Sequence, residues 1–180
     1  PKSEKFLVVD CTGVNKSEKL LEPYFERKAS YVLISAPIES SNVQNIVYGI
    51  NHQSIDTSAY KIFTAASCTT NCLAPIVKVL EENIGIKHGS ITTIHNITNS
   101  QTIVDAPKNN LRRSRSGINS LIPTTTGSAR AISLIYPELK GRLNGHAVRV
   151  PLLNASLTDC VFEMKQNVEV DKINQLFNEA

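Results

Sequence analysis

The stretch KIFTAASCTTNCLAP, residues 61–75, joins an apolar run to a segment of helical period. The run KIFTAAS (61–67) contains β-branched and aromatic residues without helical spacing, and it predicts a strand. Residues 72–82 predict a helix, because apolar side chains recur there at the spacing of one helix face. These side chains belong to Leu73, Ile76, Val77 and Leu80. A strand that passes directly into a helix is typical of α/β proteins, and Cys68 lies at the turn.

The segments before this junction also alternate between strand and helix patterns. FLVVD (6–10) and YVLIS (31–35) are short apolar runs typical of buried strands, and residues 17–28 between them predict a helix. NIVYGI (45–50) is a further strand candidate. This alternation indicates a parallel sheet, so residues 1–67 are predicted to belong to an α/β domain.

The sequence that follows has a different pattern. SITTIHNIT (90–98) alternates in polarity and predicts a strand with one polar face, and residues 144–166 predict long strands. The other segments with a distinct pattern are 99–123 (a basic loop), 124–136 (a hydroxyl-rich loop, then a helix) and 170–180 (a helix). Alternating strands packed by helices predict an α+β domain over residues 68–180.

The composition is that of a globular protein, with 180 residues of which 41% are hydrophobic and 19% charged. The formal net charge of +3 is too small to indicate a nucleic-acid binder. No apolar run is long enough to span a bilayer, and the N-terminal residues lack a signal-peptide layout, so no membrane insertion is expected. The four irregularly spaced cysteines favour reduced thiols in a cytoplasmic protein over a disulfide framework.

Four roles are open for Cys68 from its position alone: a buried structural residue, half of a disulfide, a metal ligand or a nucleophile. Metal binding is disfavoured because Cys68 and Cys72 have no second ligand pair at zinc spacing. Backbone N–H groups at the start of a helix favour an anion, so a thiol becomes a thiolate more readily there. A nucleophile also needs a base, and His95 is the best placed of the four histidines. Spacing leaves the structural and nucleophilic interpretations open.

The residues themselves carry a stronger signal than their spacing. ASCTTNCLAP (66–75) closely resembles the active-site signature of the phosphorylating glyceraldehyde-3-phosphate dehydrogenases. Further motifs follow in that family's order over nearly the whole chain, namely DCTGV, ISAP, YGIN, TTIHNITNSQ, LRRSRS, PTTTGSA, PELKGRLNG and RVPLLNASLTD. The resemblance implies the end of a parallel Rossmann-type nucleotide domain in residues 1–67. It also implies an α+β catalytic domain with a mostly antiparallel sheet in residues 68–180, incomplete at its C-terminus.

The resemblance implies a reaction and the residues that perform it. Cys68 would attack the aldehyde of glyceraldehyde 3-phosphate, and His95 would activate the thiol and act as acid and base. Inorganic phosphate would then cleave the resulting thioester to an acyl phosphate. Residues that match the inorganic-phosphate site are Ser67, Thr69, Thr126 and Gly127; those that match the substrate-phosphate site are Thr98 and Arg149, with Arg113 nearby.

Some neighbours of these residues have simpler explanations. Arg112 and Arg115, on either side of the Arg113–Ser114 pair, are expected to be solvated surface residues. Thr124 precedes a predicted helix and is expected to act as an N-cap.

The family resemblance also implies a nicotinamide cofactor. Thr12, Gly13 and Ser35 match positions that line the dinucleotide groove, and Asn99 lies near the nicotinamide end. The G-x-G-x-x-G turn that binds the pyrophosphate is absent, so NAD is implied while NADP is not excluded. The sequence is interpreted as a central fragment, inactive alone, of a longer family chain. The full-length protein is expected to be a homotetramer whose loop 99–123 reaches toward a neighbouring subunit.

Two departures from the family pattern concern the substrate site. Ile97 stands where an aromatic residue is usual, and Ser100 where an acid or threonine is common. Erythrose-4-phosphate dehydrogenase is therefore an alternative, although the intact PTTTG loop argues against it. A truncated, non-catalytic binding protein is a second alternative. Within the family, segments 95–113 and 119–163 resemble a branch associated with arsenic-resistance operons, in which arsenate replaces phosphate.

Overall fold

The computed structural model of the chain describes residues 5–180. The chain divides into two compact units, Pro1–Pro75 and Ile76–Ala180, and the division falls inside one helix. The domain boundary expected from the sequence, between residues 67 and 68, falls at the start of that same helix and stays a prediction. Each unit is built around its own sheet.

The first unit contains a four-stranded sheet in which every pairing is parallel, in the order β1-β2-β4-β3. The strands are β1 (Leu7–Asp10), β2 (Tyr31–Ile34), β3 (Val43–Asn45) and β4 (Ile62–Thr64). Helix α1 (Glu18–Glu26) connects β1 to β2. The core beside the sheet is aliphatic and consists of Leu21, Val32, Ile34, Ile38, Val43 and Ile62. Strands β1, β2 and β4 follow the apolar runs of the sequence, and α1 lies within the segment predicted to be helical.

The strand predicted over residues 45–50 is wrong, because β3 ends at Asn45. The side chain of Asn51 accounts for the end of the strand. Its Nδ2 donates to the carbonyl of Asn45 at 2.9 Å, and its Oδ1 accepts the N–H of Val47 at 2.7 Å. Gly49 then adopts a φ of +84°, which folds the segment into turns.

Helix α2 (Cys68–Asn83) runs from the first unit into the second, and it begins four residues earlier than predicted. The Ser67 hydroxyl accepts the N–H of Thr70 at 3.1 Å, as an N-cap side chain does. This hydrogen bond starts the helix at Cys68. The apolar face expected from the sequence is buried at Leu73, Val77 and Leu80.

The second unit contains a four-stranded mixed sheet in the order β6-β7-β5-β8. Its strands are β5 (Ile86–His95), β6 (Ile122–Thr125), β7 (Leu143–Arg149) and β8 (Leu157–Met164). Strands β5 and β7 pair in parallel, while β6–β7 and β5–β8 are antiparallel. Two helices complete the unit, α3 (Ser128–Ile135) and α4 (Val170–Glu179). The predicted fold class, a parallel α/β part followed by a mostly antiparallel sheet with helices, is confirmed.

Candidate active site

Cys68 lies at the start of α2, directly after a sharp turn that follows β4. Ala66 has a φ of +56° and is buried, and its N–H donates to the Thr64 hydroxyl at 3.1 Å. The Asn71 side chain donates to the carbonyl of Ala65 at 2.8 Å. These contacts leave Cys68 exposed in the first helical turn, where backbone N–H groups favour an anion. An exposed thiol in this place is suited to attack a substrate.

Two predicted phosphate ligands, Ser67 and Thr69, stand on either side of Cys68. Thr69 is buried, whereas Ser67 is half-buried and directs its hydroxyl to Thr70, with 2.7 Å between the two hydroxyl oxygens. The Ser67 hydroxyl therefore already has a structural role as the cap of α2. An anion bound there would share this hydroxyl with the helix.

The parallel sheet of the first unit brings the predicted cofactor residues to the edge at which Cys68 follows β4. Thr12 and Gly13 follow β1, and Ser35 follows β2. The strand order β1-β2-β4 sets these three carboxyl ends side by side. Ligands of open α/β sheets bind outside the carboxyl ends of the strands. At Gly13, φ is +71° and no atom lies within 4 Å of where a Cβ would be, so the backbone is open to a ligand.

Asp10 organises the loop that holds Thr12 and Gly13. Its Oδ1 accepts the N–H and the hydroxyl of Thr12 at 2.8 and 2.7 Å, and its Oδ2 accepts from Asn15 and Tyr24 at 2.7 and 3.1 Å. Burial alone would raise the pKa of Asp10, but these hydrogen bonds together outweigh burial and lower the pKa to about 2. The carboxylate is therefore ionised at neutral pH and fixes the loop.

We expect Asp10→Asn to destabilise the full-length protein by about 2 kcal/mol at neutral pH, because the ionised form is the one that the native loop binds. A carboxylate with a lowered pKa stabilises the fold above its unfolded pKa and loses that effect as pH falls through the folded value. The difference in unfolding free energy between wild type and variant should therefore shrink from about pH 4 to about pH 2. Urea titrations over this range measure it. Asp56→Asn is the control, since Asp56 is exposed and should have a smaller effect; equal effects would contradict the role of Asp10.

His95 and Arg149 lie next to each other in the second unit. They end β5 and β7 and are register partners in the parallel pairing of these strands. Nη1 of Arg149 lies 2.6 Å from Nδ1 of His95 and donates to the carbonyl of Asn96 at 2.9 Å. His95 is buried and Arg149 half-buried. A base and a cation are thus in direct contact at one end of the sheet.

Arg113 is anchored on β6, the strand beside β7. Its Nη2 and Nε donate to the hydroxyl of Thr124 at 3.0 and 3.3 Å. The expected N-cap role of Thr124 is wrong, because Thr124 is buried inside β6 and α3 begins only at Ser128. As expected, Arg115 is exposed; it pairs with Asp105 at 2.7 Å.

Thr98 and Asn99 are exposed in the turn after β5. The side-chain oxygen of Gln101 accepts two hydrogen bonds from Thr98, one from the N–H at 3.0 Å and one from the hydroxyl at 3.2 Å. The Ser100 hydroxyl lies 2.9 Å from that of Thr98. The sequence motifs predict no role for Gln101, but its side chain holds Thr98 in place within the same turn.

The loop of Thr126 and Gly127 joins β6 to α3. The Thr126 hydroxyl lies 3.0 Å from that of Ser128 and accepts the Ser128 N–H at 3.3 Å. Gly145 of β7 lies beneath this loop, and a Cβ at Gly145 would come within 3.2 Å of the Thr126 methyl group. The sequence analysis missed Gly145, because the residues around it in the sequence do not indicate a contact with Thr126 across the sheet.

Two other kinds of feature are absent from the described residues, 5–180. None of their helices combines the length and the apolar character needed to cross a membrane. No group of three or more His, Cys, Asp or Glu within this range is arranged to hold a metal ion. The four cysteines, all within it, form no disulfide.

The two sheets, with polar and charged residues gathered at their strand ends, define the chain as an α/β protein. Residues 67–180 match the profile of the family described as "Glyceraldehyde 3-phosphate dehydrogenase, C-terminal domain". The chain therefore belongs to the glyceraldehyde-3-phosphate dehydrogenase family, which confirms the resemblance drawn from its motifs.

Individual relatives agree with this assignment over 97% of the chain. Glyceraldehyde-3-phosphate dehydrogenase 3 of Nostoc sp. is 58% identical over 174 residues, which are 51% of its own length. Glyceraldehyde-3-phosphate dehydrogenase 1 of Bacillus cereus and glyceraldehyde-3-phosphate dehydrogenase of Geobacillus stearothermophilus are each 45% identical over 52% of their lengths. The chain thus spans about half the length of the curated relatives it matches.

Proposed function

We propose that the protein carrying this chain is an NAD-dependent, phosphorylating glyceraldehyde-3-phosphate dehydrogenase. The observation that carries the proposal is the common sheet edge of Cys68 and the cofactor residues, Thr12, Gly13 and Ser35. An aldehyde bound to the thiol at this edge would lie beside a ligand in the groove of the parallel sheet. Family membership supports the same assignment.

In the proposed reaction, the Cys68 thiolate attacks the aldehyde carbon of glyceraldehyde 3-phosphate and forms a thiohemiacetal. His95 receives the thiol proton, returns it to the alkoxide oxygen to give the hydroxyl of the thiohemiacetal, and accepts it again as the carbon is oxidised to a thioester. NAD, when bound, supplies the chemistry of a hydride acceptor. Inorganic phosphate then attacks the thioester, which releases the acyl phosphate and returns the thiolate of Cys68.

Two anion sites serve this sequence. We propose that Arg149 and Thr98 bind the phosphate of the substrate, with Arg113, which hydrogen-bonds to Thr124 of β6, close to it. A guanidinium offers a forked, charge-assisted donor pair that suits a phosphate dianion. The proposed site for inorganic phosphate is made of neutral donors, which are Ser67, Thr69, Thr126 and the Gly127 N–H.

The remaining assignments concern the cofactor and the assembly. We propose that Thr12, Gly13, Ser35 and Asn99 contact NAD, with NADP as the alternative cofactor. We also propose a cytoplasmic homotetramer in which loop 99–123 reaches a neighbouring subunit. The exposure of Ile103 (64%), Val104 (71%) and Leu111 (82%) in this loop supports a protein contact there.

We propose that arsenate can also attack the thioester in place of phosphate, since the two anions have similar charge and geometry. The neutral donors around Thr126 offer nothing that would exclude the slightly larger anion. If arsenic resistance is the physiological role, deletion of the gene should sensitise cells to arsenate and leave growth on glucose little changed. Blocked glycolysis with unchanged arsenate tolerance would support the ordinary glycolytic role instead.

The proposed function is tested on the full-length protein with glyceraldehyde 3-phosphate and NAD. Without phosphate we expect a burst of one NADH per subunit, because the thioester accumulates on Cys68; with phosphate we expect continuous turnover. Absence of any burst would favour a non-catalytic binding protein. A higher kcat/KM for erythrose 4-phosphate, without dependence on inorganic phosphate, would favour the alternative dehydrogenase.

Gly145→Ala tests the phosphate loop separately from the thiol. The added methyl group would push Thr126 by a few tenths of an ångström, so we expect the KM for inorganic phosphate to rise about tenfold. The KM for NAD and the burst without phosphate should be unchanged. Gly141→Ala is a control, because open space surrounds Gly141 although its φ of +77° adds some strain. A selective rise in the KM for phosphate in Gly141→Ala, or no rise in Gly145→Ala, would contradict this role of Gly145.

A further inference from the structure

The turn that presents Cys68 is held from beneath by a chain of three hydrogen bonds, all of them within the first unit. The N–H of Ala66 donates to the hydroxyl of Thr64 at 3.1 Å, and this hydroxyl donates to Oδ1 of Asn45 at 2.6 Å. Nδ2 of Asn45 donates in turn to the carbonyl of Ile38 at 3.0 Å. Thr64 is fully buried, so bulk water cannot replace a partner that its hydroxyl loses.

The direction of each bond in this chain is fixed by its two ends, which are backbone groups. The Ile38 carbonyl can only accept, so the Asn45 atom beside it is the amide nitrogen, and the amide oxygen faces Thr64. The Ala66 N–H can only donate, so the Thr64 oxygen accepts from it and sends its single hydrogen to Asn45. The donor and an acceptor position of the Thr64 hydroxyl are therefore both in use.

The bond between Thr64 and Ala66 matters because Ala66 adopts a left-handed backbone angle. Its φ of +56° is unfavourable for a residue with a Cβ, and such an angle persists only where the surrounding structure holds it. On the other side of the turn, Nδ2 of Asn71 donates to the carbonyls of Ala65 and Ser67 at 2.8 and 2.9 Å. Asn71 thus holds the turn from α2, and Thr64 holds it from β4.

We propose that Thr64 is a positioning residue whose buried hydroxyl fixes the turn at Ala66 and thereby directs the Cys68 thiol for attack on the aldehyde. Asn45 assists by fixing the direction of that hydroxyl. This inference rests on the proposed function, in which Cys68 is the nucleophile. Without the hydroxyl, the thiol would stay exposed but would point in several directions, and only some of these suit the attack.

The test measures the NADH burst of the full-length protein, without phosphate, in Thr64→Val and Thr64→Ser. Valine resembles threonine in shape but has no hydroxyl, whereas serine keeps the hydroxyl. We expect Thr64→Val to lower the burst rate constant about tenfold or more, as a small misplacement of a reacting group does, and to leave the burst amplitude unchanged. We expect Thr64→Ser to retain a rate constant close to that of the wild type.

The amplitude and the rate constant of the burst separate positioning from stability. A variant that is only destabilised loses amplitude, because fewer subunits are folded, while the folded subunits react at the wild-type rate. An unchanged rate constant in Thr64→Val would therefore overturn the inference, and so would a Thr64→Ser variant as slow as Thr64→Val. Absence of a burst in the wild type would instead overturn the proposed function.

Thr93→Val is the matched control for the loss of a buried hydroxyl. Thr93 is also a buried threonine in a strand, but within residues 5–180 its hydroxyl has no hydrogen-bond partner. We expect this variant to keep both the rate constant and the amplitude of the burst. A loss of rate equal to that of Thr64→Val would mean that the exchange of any buried threonine slows the reaction, which would overturn the specific role of Thr64.

Hydrogen exchange in the wild-type protein tests the inference without depending on the folding of a variant. The Ala66 N–H donates to a buried hydroxyl, so it should exchange with deuterated water much more slowly than an unprotected amide. Exchange of the Ala66 N–H at the rate of an unstructured peptide would overturn the inference, because the turn would then not be held by Thr64.

Discussion

Cys68→Ser is expected to abolish acyl-enzyme formation and to leave the fold unchanged. Serine fits where cysteine stands, and the position is exposed at the start of α2, so neither packing nor the helix should change. A hydroxyl, unlike a thiol, stays protonated at neutral pH even at a helix N-terminus, and the aldehyde would then meet no nucleophile. Mass spectrometry after single turnover without phosphate measures the acylated fraction, which we expect to fall to zero, together with the NADH burst.

The chain offers a matched control for this substitution. Cys72 is also exposed and lies one turn further along α2, so Cys72→Ser removes a thiol from the same helix without removing the proposed nucleophile. We expect it to retain the burst. In the wild-type protein, Cys68 should be alkylated before the other three cysteines. Labelling that falls first on Cys11 or Cys160 would sink the assignment of Cys68.

His95→Asn should slow both turnover and Cys68 alkylation by about 10²–10⁴, the usual effect of losing an acid–base group. The asparagine side chain cannot take up the thiol proton, while its amide can still donate a hydrogen bond at this buried position. The effect on kcat should therefore exceed the effect on the KM for glyceraldehyde 3-phosphate. Steady-state kinetics and alkylation rates of the full-length protein measure the two quantities.

His88→Asn is the companion control for this second result. His88 lies on the same strand, β5, but is exposed and pairs with Glu163 at 3.3 Å. Its replacement should leave kcat within about twofold, because a contact between exposed side chains contributes little. Similar losses for both variants would mean that the effect of His95→Asn reflects damage to the strand rather than a lost base.

The elements that sequence predicted well are those whose signal is local. The apolar runs of β1 and β2 and the buried face of α2 all follow from the spacing of their side chains. The residues at which helices and strands begin and end were harder to predict from the sequence. Helix α2 starts early because Ser67 caps it, and β3 ends early because Asn51 reaches back to Asn45. Both causes are side-chain hydrogen bonds, which the spacing of apolar residues along the sequence does not reveal.

In the candidate site too, the sequence predicted the residues with a local signal and missed those that act through distant contacts. Cys68 and His95 were found through motifs, each of which is a continuous stretch of sequence. Gly145 and Gln101 were missed, because their importance lies in a contact with Thr126 across the sheet and with Thr98 across a turn. The contact of Arg149 with His95 was missed for the same reason, since it joins two residues that are 54 positions apart in the sequence.

Ala66 shows how a backbone angle limits the mutational tolerance of a position. Its φ of +56° costs an ordinary residue about 1 kcal/mol or more, and a β-branched side chain costs more still. Glycine would adopt this angle without strain, whereas valine, isoleucine and threonine would displace the turn that presents Cys68. A saturation scan of the gene would therefore score position 66 as intolerant, although its side chain is a single buried methyl group that takes no part in the proposed chemistry.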